Sequence, residues 1–422
     1  MKIRNEGKRR VPPDIRSGSG NRSFLIAGAG LAAAAAALQA AARLVPGFAD
    51  WYAHGIYAGL AGVFGRLFGL APFSVVELLL YLLLMSAAGY LFCQIRHPLR
   101  ILSRAVFLAG LLLFLYMAGC GVNYQAAAFS RYVGIETGTY TVEELKALCA
   151  YLTGQVNAWA PRGDETAESS GGSGTENSAD GAEDSANGAE DSADGTEDSA
   201  DGAEDSADVA EDSADGAARS LSAYRYQDNR ARWRAESVAA MQKAGEQFPV
   251  LAGFYPEPKE VTVSWILSVQ QLCGIYSPFT IEANYNGDMP DYNVPHTMCH
   301  ELSHLKGFMR EDEANFIGYL ACTLSDDPAF CYSGYLTGWV YAGNALASVD
   351  RAAYLALYGQ LCAAARRDLQ ENNAFWDRYE GKVAEAANQW NDVYLKMNDQ
   401  PEGVRSYGRM VDLMLAYRRM GR

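Results

Sequence analysis

Apolar residues crowd the first third of the chain into three long runs. Residues 24–44 are Ala-rich and polar only at Gln39 and Arg43; residues 73–95 are Leu-rich with Glu77 near one edge; residues 105–124 carry no charge. Each run has the roughly 20 residues needed to cross about 30 Å of hydrocarbon. A core helix of a soluble protein rarely stays apolar on every face for that long. The pattern predicts three membrane spans. Seven Lys and Arg precede the first, and Arg96, Arg100 and Arg104 lie between the second and third. The excess of positive charge marks those two segments as cytoplasmic. Everything after Tyr124 is then expected outside. A cleaved signal peptide is the alternative reading of the first run, because LQAAAR offers small residues at a cleavage point. It leaves the later part of the chain on the same side. Residues 50–70, aromatic and Gly-rich, are expected along the outer interface.

Past the third run the periodicity changes. Leu145, Leu148, Leu152 and Val156 fall three or four apart, which predicts a helix over 140–159. Thr141 and Glu144 suit a capping box at its start. The segment 161–216 consists largely of repeats such as ADGAEDS, with no apolar seam. Such a chain cannot bury enough apolar area to offset its ordering entropy, so a disordered acidic insert is expected. Residues 217–422 read as a second folded part, mostly helical. Helices are expected over 219–247, 338–349 and most of 352–396, with strands at 261–266 and 280–285. The last of these, within TIEANYN, is read as an edge strand open to an extended peptide.

Charge changes this picture little. The formal net charge is −15, but 19 of the 50 acidic residues lie between Asp164 and Asp215. The rest of the chain is close to neutral. No basic footprint of a nucleic-acid binder is present. No Cys pair forms C-x-x-C, which excludes a cysteine zinc site or thioredoxin-type centre by that signal. Nothing in the sequence speaks to oligomeric state.

Three of the five histidines, His296, His300 and His304, fall within nine residues, in NVPHTMCHELSHLKGF. HELSH is the H-E-x-x-H pattern. Residues four apart share a helix face, so His300 and His304 can each reach one zinc ion. Glu301 projects beside them, placed to take a proton from a zinc-bound water. Asn293 and Pro295 suit the helix start and Gly307 its stop. His296 stands about 12 Å of helix rise from His304, too far to share one ion. A third ligand is expected just downstream. Glu311 and Asn315 share a face, so Glu311 binding zinc while Asn315 orients a ligand imidazole is one arrangement. The apolar stripe of Ile317, Leu320 and Leu324 lies nearer Glu313, which favours the other carboxylate. Helix geometry alone leaves the two open.

HELSH followed by E-x-x-A-N resembles the gluzincin metallopeptidases, whose downstream helix carries E-x-x-x-D or E-x-x-x-N. That resemblance implies Glu311 as the ligand, although only six residues separate His304 from Glu311, fewer than in better-known gluzincins. The wider sequence resembles a bacterial membrane family, domain of unknown function 3810, through PFSVVELLLYLL, GIYSPFTIEANYN, HTMCHELSHLKGFMREDEANFIGYLAC, YSGYL and GVRSYGRMVDLML. It implies three spans in a bacterial cell membrane and a zinc peptidase domain.

The expectation is therefore an α-helical membrane anchor of three spans plus a mainly α, α+β zincin-like extracytoplasmic domain. Its function is read as hydrolysis of peptide or protein substrates, with one Zn2+ on His300, His304 and Glu311 and with Glu301 as base. Tyr332, with Tyr335 beside it, is the candidate oxyanion stabiliser. The alternative is a zinc-binding, non-proteolytic membrane sensor or envelope scaffold. An intramembrane protease is rejected, because Asp291, Lys306, Arg310 and Glu311 flank the motif.

Overall fold

The computed structural model describes residues 15–161, 212–398 and 409–421, with 15–19 and 212–228 as backbone only. Expectations for the basic N-terminus up to residue 14 and for most of the acidic insert lie outside these residues. Residues 212–216, assigned above to the insert, instead open a helix that runs Asp212–Gln247.

Three helices are long and apolar enough to cross a membrane: Gly20–Leu44, Val75–Gln94 and Pro98–Gln125. The third starts seven residues before the expected point. Pro98 occupies the first turn, where its missing N–H costs nothing. Arg100 and Arg104 are helical there; their charge marks a membrane boundary rather than a helix end. The first and third spans cross closely. A Cβ on Gly110 would overlap the backbone carbonyl of Gly28, so only small residues permit this approach. The third span loosens into a π turn at Met117–Gly121.

Between the first two spans the chain forms short helices at Phe48–Tyr52 and Ala58–Gly69, joined by a π turn at Ala53–Tyr57. Trp51, Ile56, Val63 and Leu67 on this segment are exposed, as an interfacial element requires. Its other face is buried. The Tyr57 hydroxyl donates to Leu305 O at 2.9 Å, and the Tyr52 hydroxyl to Ala118 O at 2.8 Å. Tyr52 and Tyr57 join Cys120, Tyr124, Tyr276, Leu305 and Met309 in a small core between the spans and the rest of the chain.

A larger core lies beyond it. The helix Val142–Trp159 has the expected capping box, and Leu145, Leu148, Leu152 and Val156 are all buried. They pack with residues of Asn293–Leu305, Glu311–Leu324, Pro328–Val349 and Arg409–Arg419 in one continuous cluster. The 140–159 segment and the part after the insert therefore share a core.

The sheet has three short strands: β1 (Lys259–Glu260), β2 (Gly274–Ser277) and β3 (Glu282–Tyr285). Their order is β1-β3-β2, parallel between β1 and β3 and antiparallel between β3 and β2. This corrects two expectations. Residues 261–266 form a turn leading into the short helix Trp265–Ser268. The TIEANYN strand is central, not an edge; all four residues of β3 are buried. An alternating sequence cannot tell a central strand from an edge when both faces are covered.

Candidate metal centre

The HELSH helix spans Asn293–Leu305 and stops at Gly307, which adopts φ +104°. Gly307 N donates to His304 O and Phe308 N to Ser303 O, the paired bonds of a Schellman turn. This turn folds the Phe308 carbonyl back over the helix end. It lies 2.8 Å from His304 Nδ1. A carbonyl can only accept, so Nδ1 carries the proton and Nε2 is left with its lone pair.

His300 is set the same way by a different element. After Gly307 the chain runs extended through Arg310 and enters the helix Glu311–Leu324. One turn in, Asn315 places Oδ1 at 2.8 Å from His300 Nδ1. Again Nδ1 donates and Nε2 is free. The two Nε2 atoms stand 3.0 Å apart. Glu311 Oε2 lies 3.2 Å from His300 Nε2, and Oε1 lies 3.6 Å from His304 Nε2. Ligand atoms of all three residues fall within 4.8 Å of one another.

Four lone-pair atoms thus face each other, and the ring protons that could have separated them are committed elsewhere. Only a cation, a proton or a metal ion, relieves that arrangement. Two nitrogens bound to one tetrahedral zinc at about 2.0–2.1 Å would stand about 3.3 Å apart, close to the spacing here. The residues fit a zinc ion. The same carboxylates draw protons as well as metal ions. Burial disfavours a charged His304, but Glu311 and Glu301 outweigh it and lift the group to about 9. Burial alone would raise Glu311, yet the two imidazoles hold its carboxyl well below the usual range.

Glu301 lines the same cavity. It is buried, its Oε2 has no hydrogen-bond partner, and burial pushes it up to about 7. Its carboxylate lies against Gly274 of β2; a Cβ there would sit 2.5 Å from Oε1. Glycine is what lets strand and carboxylate approach this closely.

The cavity encloses about 650 Å³. One wall is the helix pair carrying His300, Glu301, His304 and Glu311. Another is the run from Gln271 to Tyr276, entering and forming β2. Tyr116, Cys120 and Tyr124 close it from the end of the third span, and Trp390 and Tyr394 from the helix Lys382–Met397. The centre therefore sits against the end of a span rather than within one.

Glu313 turns away from this cavity, and so do Tyr332 and Tyr335, whereas His296 lines it. The backbone N–H groups of Phe129 and Ser130 lie toward Glu313 and favour its charged form, against burial. His296 is buried beside the cluster, its Nε2 at 3.1 Å from Asn315 O, and burial and the neighbouring His300 hold it down to about 3. Tyr332 and Tyr335 do not line the cavity. Tyr332 donates to Asp368, and Tyr335 packs on Tyr151 and Tyr319. Their helix, Pro328–Val349, shows Thr337, Val340 and Tyr341 to the cavity. At 100° per residue, positions 332 and 335 lie on its far side. Nearness in sequence to the metal helices was the only signal behind Tyr332, and helix phase overrides it. Sequence reasoning missed Gly274 and Tyr276; the signal was the isolated Gly in GIYS, which marks a close backbone approach.

No curated protein and no solved structure matches the chain. Residues 52–415 match the model of the family described as "Protein of unknown function (DUF3810)". That match covers most of the sequence, including every residue of the cluster, and the chain belongs to this family.

Proposed function

We propose that the chain is a membrane-anchored, zinc-dependent metallopeptidase whose centre lies outside the cytoplasm. One observation carries the reading: His300 Nε2, His304 Nε2 and Glu311 converge as bare acceptors beside the buried, unpartnered carboxylate of Glu301. The E-x-x-x-N spacing from Glu311 to Asn315, which resembles that of gluzincins, agrees with it. A bound zinc ion supplies Lewis acidity for attack of water on a carbonyl. His300, His304 and Glu311 hold the ion. Asn315 and the Phe308 carbonyl keep both imidazoles in the tautomer that binds it. Glu301 is the base, and its raised pKa suits it to take and return a proton near neutral pH.

β2 positions the substrate. Cys273 O accepts from Asn286 N on the β3 side. Alternation then turns the backbone groups of Gly274 and Tyr276 toward the open edge, along the cavity. An extended peptide pairing there would pass its carbonyls beside Glu301. The orientation follows from charge. The domain packs at one end of the spans, and the arginine-rich turn between the second and third lies at the other, the end that favours the cytoplasm.

The test uses the full chain in detergent, with metal content and hydrolysis of a peptide mixture measured together. Glu301→Gln should keep the metal and lose on the order of 10²–10⁴-fold in rate. A wild-type protein that holds one metal ion yet cleaves nothing, with Glu301→Gln indistinguishable from it, would favour a zinc-binding sensor or scaffold instead.

A further inference from the structure

A second pocket, of about 510 Å³, shares no lining residue with the metal cavity. Three arginines line it from three separate segments: Arg43 in the last turn of the first span, Arg131 in the helix Phe129–Val133, and Arg310. Arg310 is extended, with φ −82° and ψ 130°. Extended backbone sends successive side chains to opposite faces. Met309 and Glu311 accordingly line the metal cavity while Arg310 lines this pocket.

Asp50 is the one carboxylate in the lining. Its Oδ1 is occupied, accepting from Ala127 N at 2.7 Å and from the Tyr132 hydroxyl at 2.7 Å. Those bonds fix the floor of the pocket and the helix that carries Arg131. Both Arg131 and Arg310 make backbone hydrogen bonds, but among the described residues neither the Arg131 nor the Arg310 guanidinium makes a hydrogen bond or ion pair. The Arg43 guanidinium donates to Met397 O, so the charges open to an anion in this pocket are those of Arg131 and Arg310, which face a single carboxylate in the lining.

The position of the pocket says which anion. It sits where the first span ends, beside the exposed apolar side chains of Leu44, Val45 and Trp51. Hydrocarbon gives way to headgroups at that depth. Deeper along the same span, Ala34, Ala37 and Leu38 line an apolar groove with Ile56, Leu60 and Phe114. Ala34, Leu38 and Ala42 follow one another at four-residue steps on one face of the helix. From residue 34 to residue 43 is about 14 Å of rise, close to one leaflet of hydrocarbon.

We propose that this pocket binds the phosphate of an anionic phospholipid, with an acyl chain lying toward the groove. The site rests on no assumption about metal chemistry. The test purifies the full chain in micelles of phosphatidylcholine alone, or mixed with phosphatidylglycerol, and reads retained lipid by native mass spectrometry together with melting temperature. The wild type should retain phosphatidylglycerol preferentially and melt higher in the mixed micelles. Arg131→Gln/Arg310→Gln should lower that preference on the order of 30-fold, at about one kcal/mol per charge. An unchanged melting point in phosphatidylcholine alone shows that the double variant is folded; Arg131→Gln alone, on an exposed residue, serves if it is not. Equal retention of both lipids by the wild type, or undiminished preference in a folded variant, overturns the proposal. Inorganic phosphate that reproduces the full stabilisation in phosphatidylcholine micelles also overturns it, in favour of a free phosphate ligand.

Discussion

His300 and His304 each turn a lone pair toward Glu311 because of what their far nitrogens do. Each Nδ1 has an acceptor that cannot donate, so each Nε2 is bare. Asn315→Ala removes one of those acceptors without touching the three converging residues. It should weaken metal affinity about 10–100-fold, read by competition with a chelator. Glu311→Ala should lose the metal and Glu313→Ala should keep it; the reverse pattern would reassign the ligand. Glu313 makes its own pH prediction. Burial and the adjacent Asp312 lift it from 4.5 to about 7. The folded chain therefore binds a proton more tightly than the unfolded chain between those values. Stability attributable to this group falls as pH rises through that window. Glu313→Gln stays neutral, so it should melt above the wild type at pH 8 and lose the difference at pH 4.

The Gly307 turn links the HELSH helix to everything downstream. At φ +104° an Ala would be strained by about 1–3 kcal/mol. Gly307→Ala should lower the melting temperature and, by shifting the Phe308 carbonyl off His304, weaken metal binding as well. The helix and both of its ends were legible, because Pro295, the four-residue His spacing and Gly307 are local signals. The three spans and the Thr141–Glu144 cap were legible for the same reason. What lay hidden was tertiary. The expected strand at 261–266 is β-branched, but it lies outside the sheet because the amides of Thr262 and Val263 are bound by Glu77. The edge that runs along the cavity is β2, whose Gly weakens its strand signal. Tyr332 failed on helix phase, which depends on the neighbours of Pro328–Val349. Helix geometry alone left Glu311 and Glu313 open and only the E-x-x-A-N resemblance pointed to Glu311; the Gly307 turn is what brings that carboxylate to His300 and His304.

The spans and the part that carries the His300–His304–Glu311 cluster are joined by reciprocal carboxylates. Glu282 of β3 accepts from Val75 N and Val76 N at the start of the second span and pairs with buried Lys259. Glu77 of that span accepts from Thr262 N and Val263 N. Each acidic side chain satisfies amide groups that its partner element leaves open. Glu282→Ala strands the Lys259 charge and should cost about 3–5 kcal/mol, measured as loss of thermal stability in detergent. With Tyr57 bonded to Leu305 and the third span lining the cavity, the membrane part is a structural wall of the centre as well as an anchor. X-ray absorption at the zinc edge on the intact chain, with metal content determined on the same sample, puts all of this to its most direct trial. One zinc per chain is predicted, with two imidazole nitrogens at about 2.0–2.1 Å and oxygen in the remaining positions. A chain that takes up no zinc, or a zinc shell with sulfur ligands or four protein groups, would contradict the account.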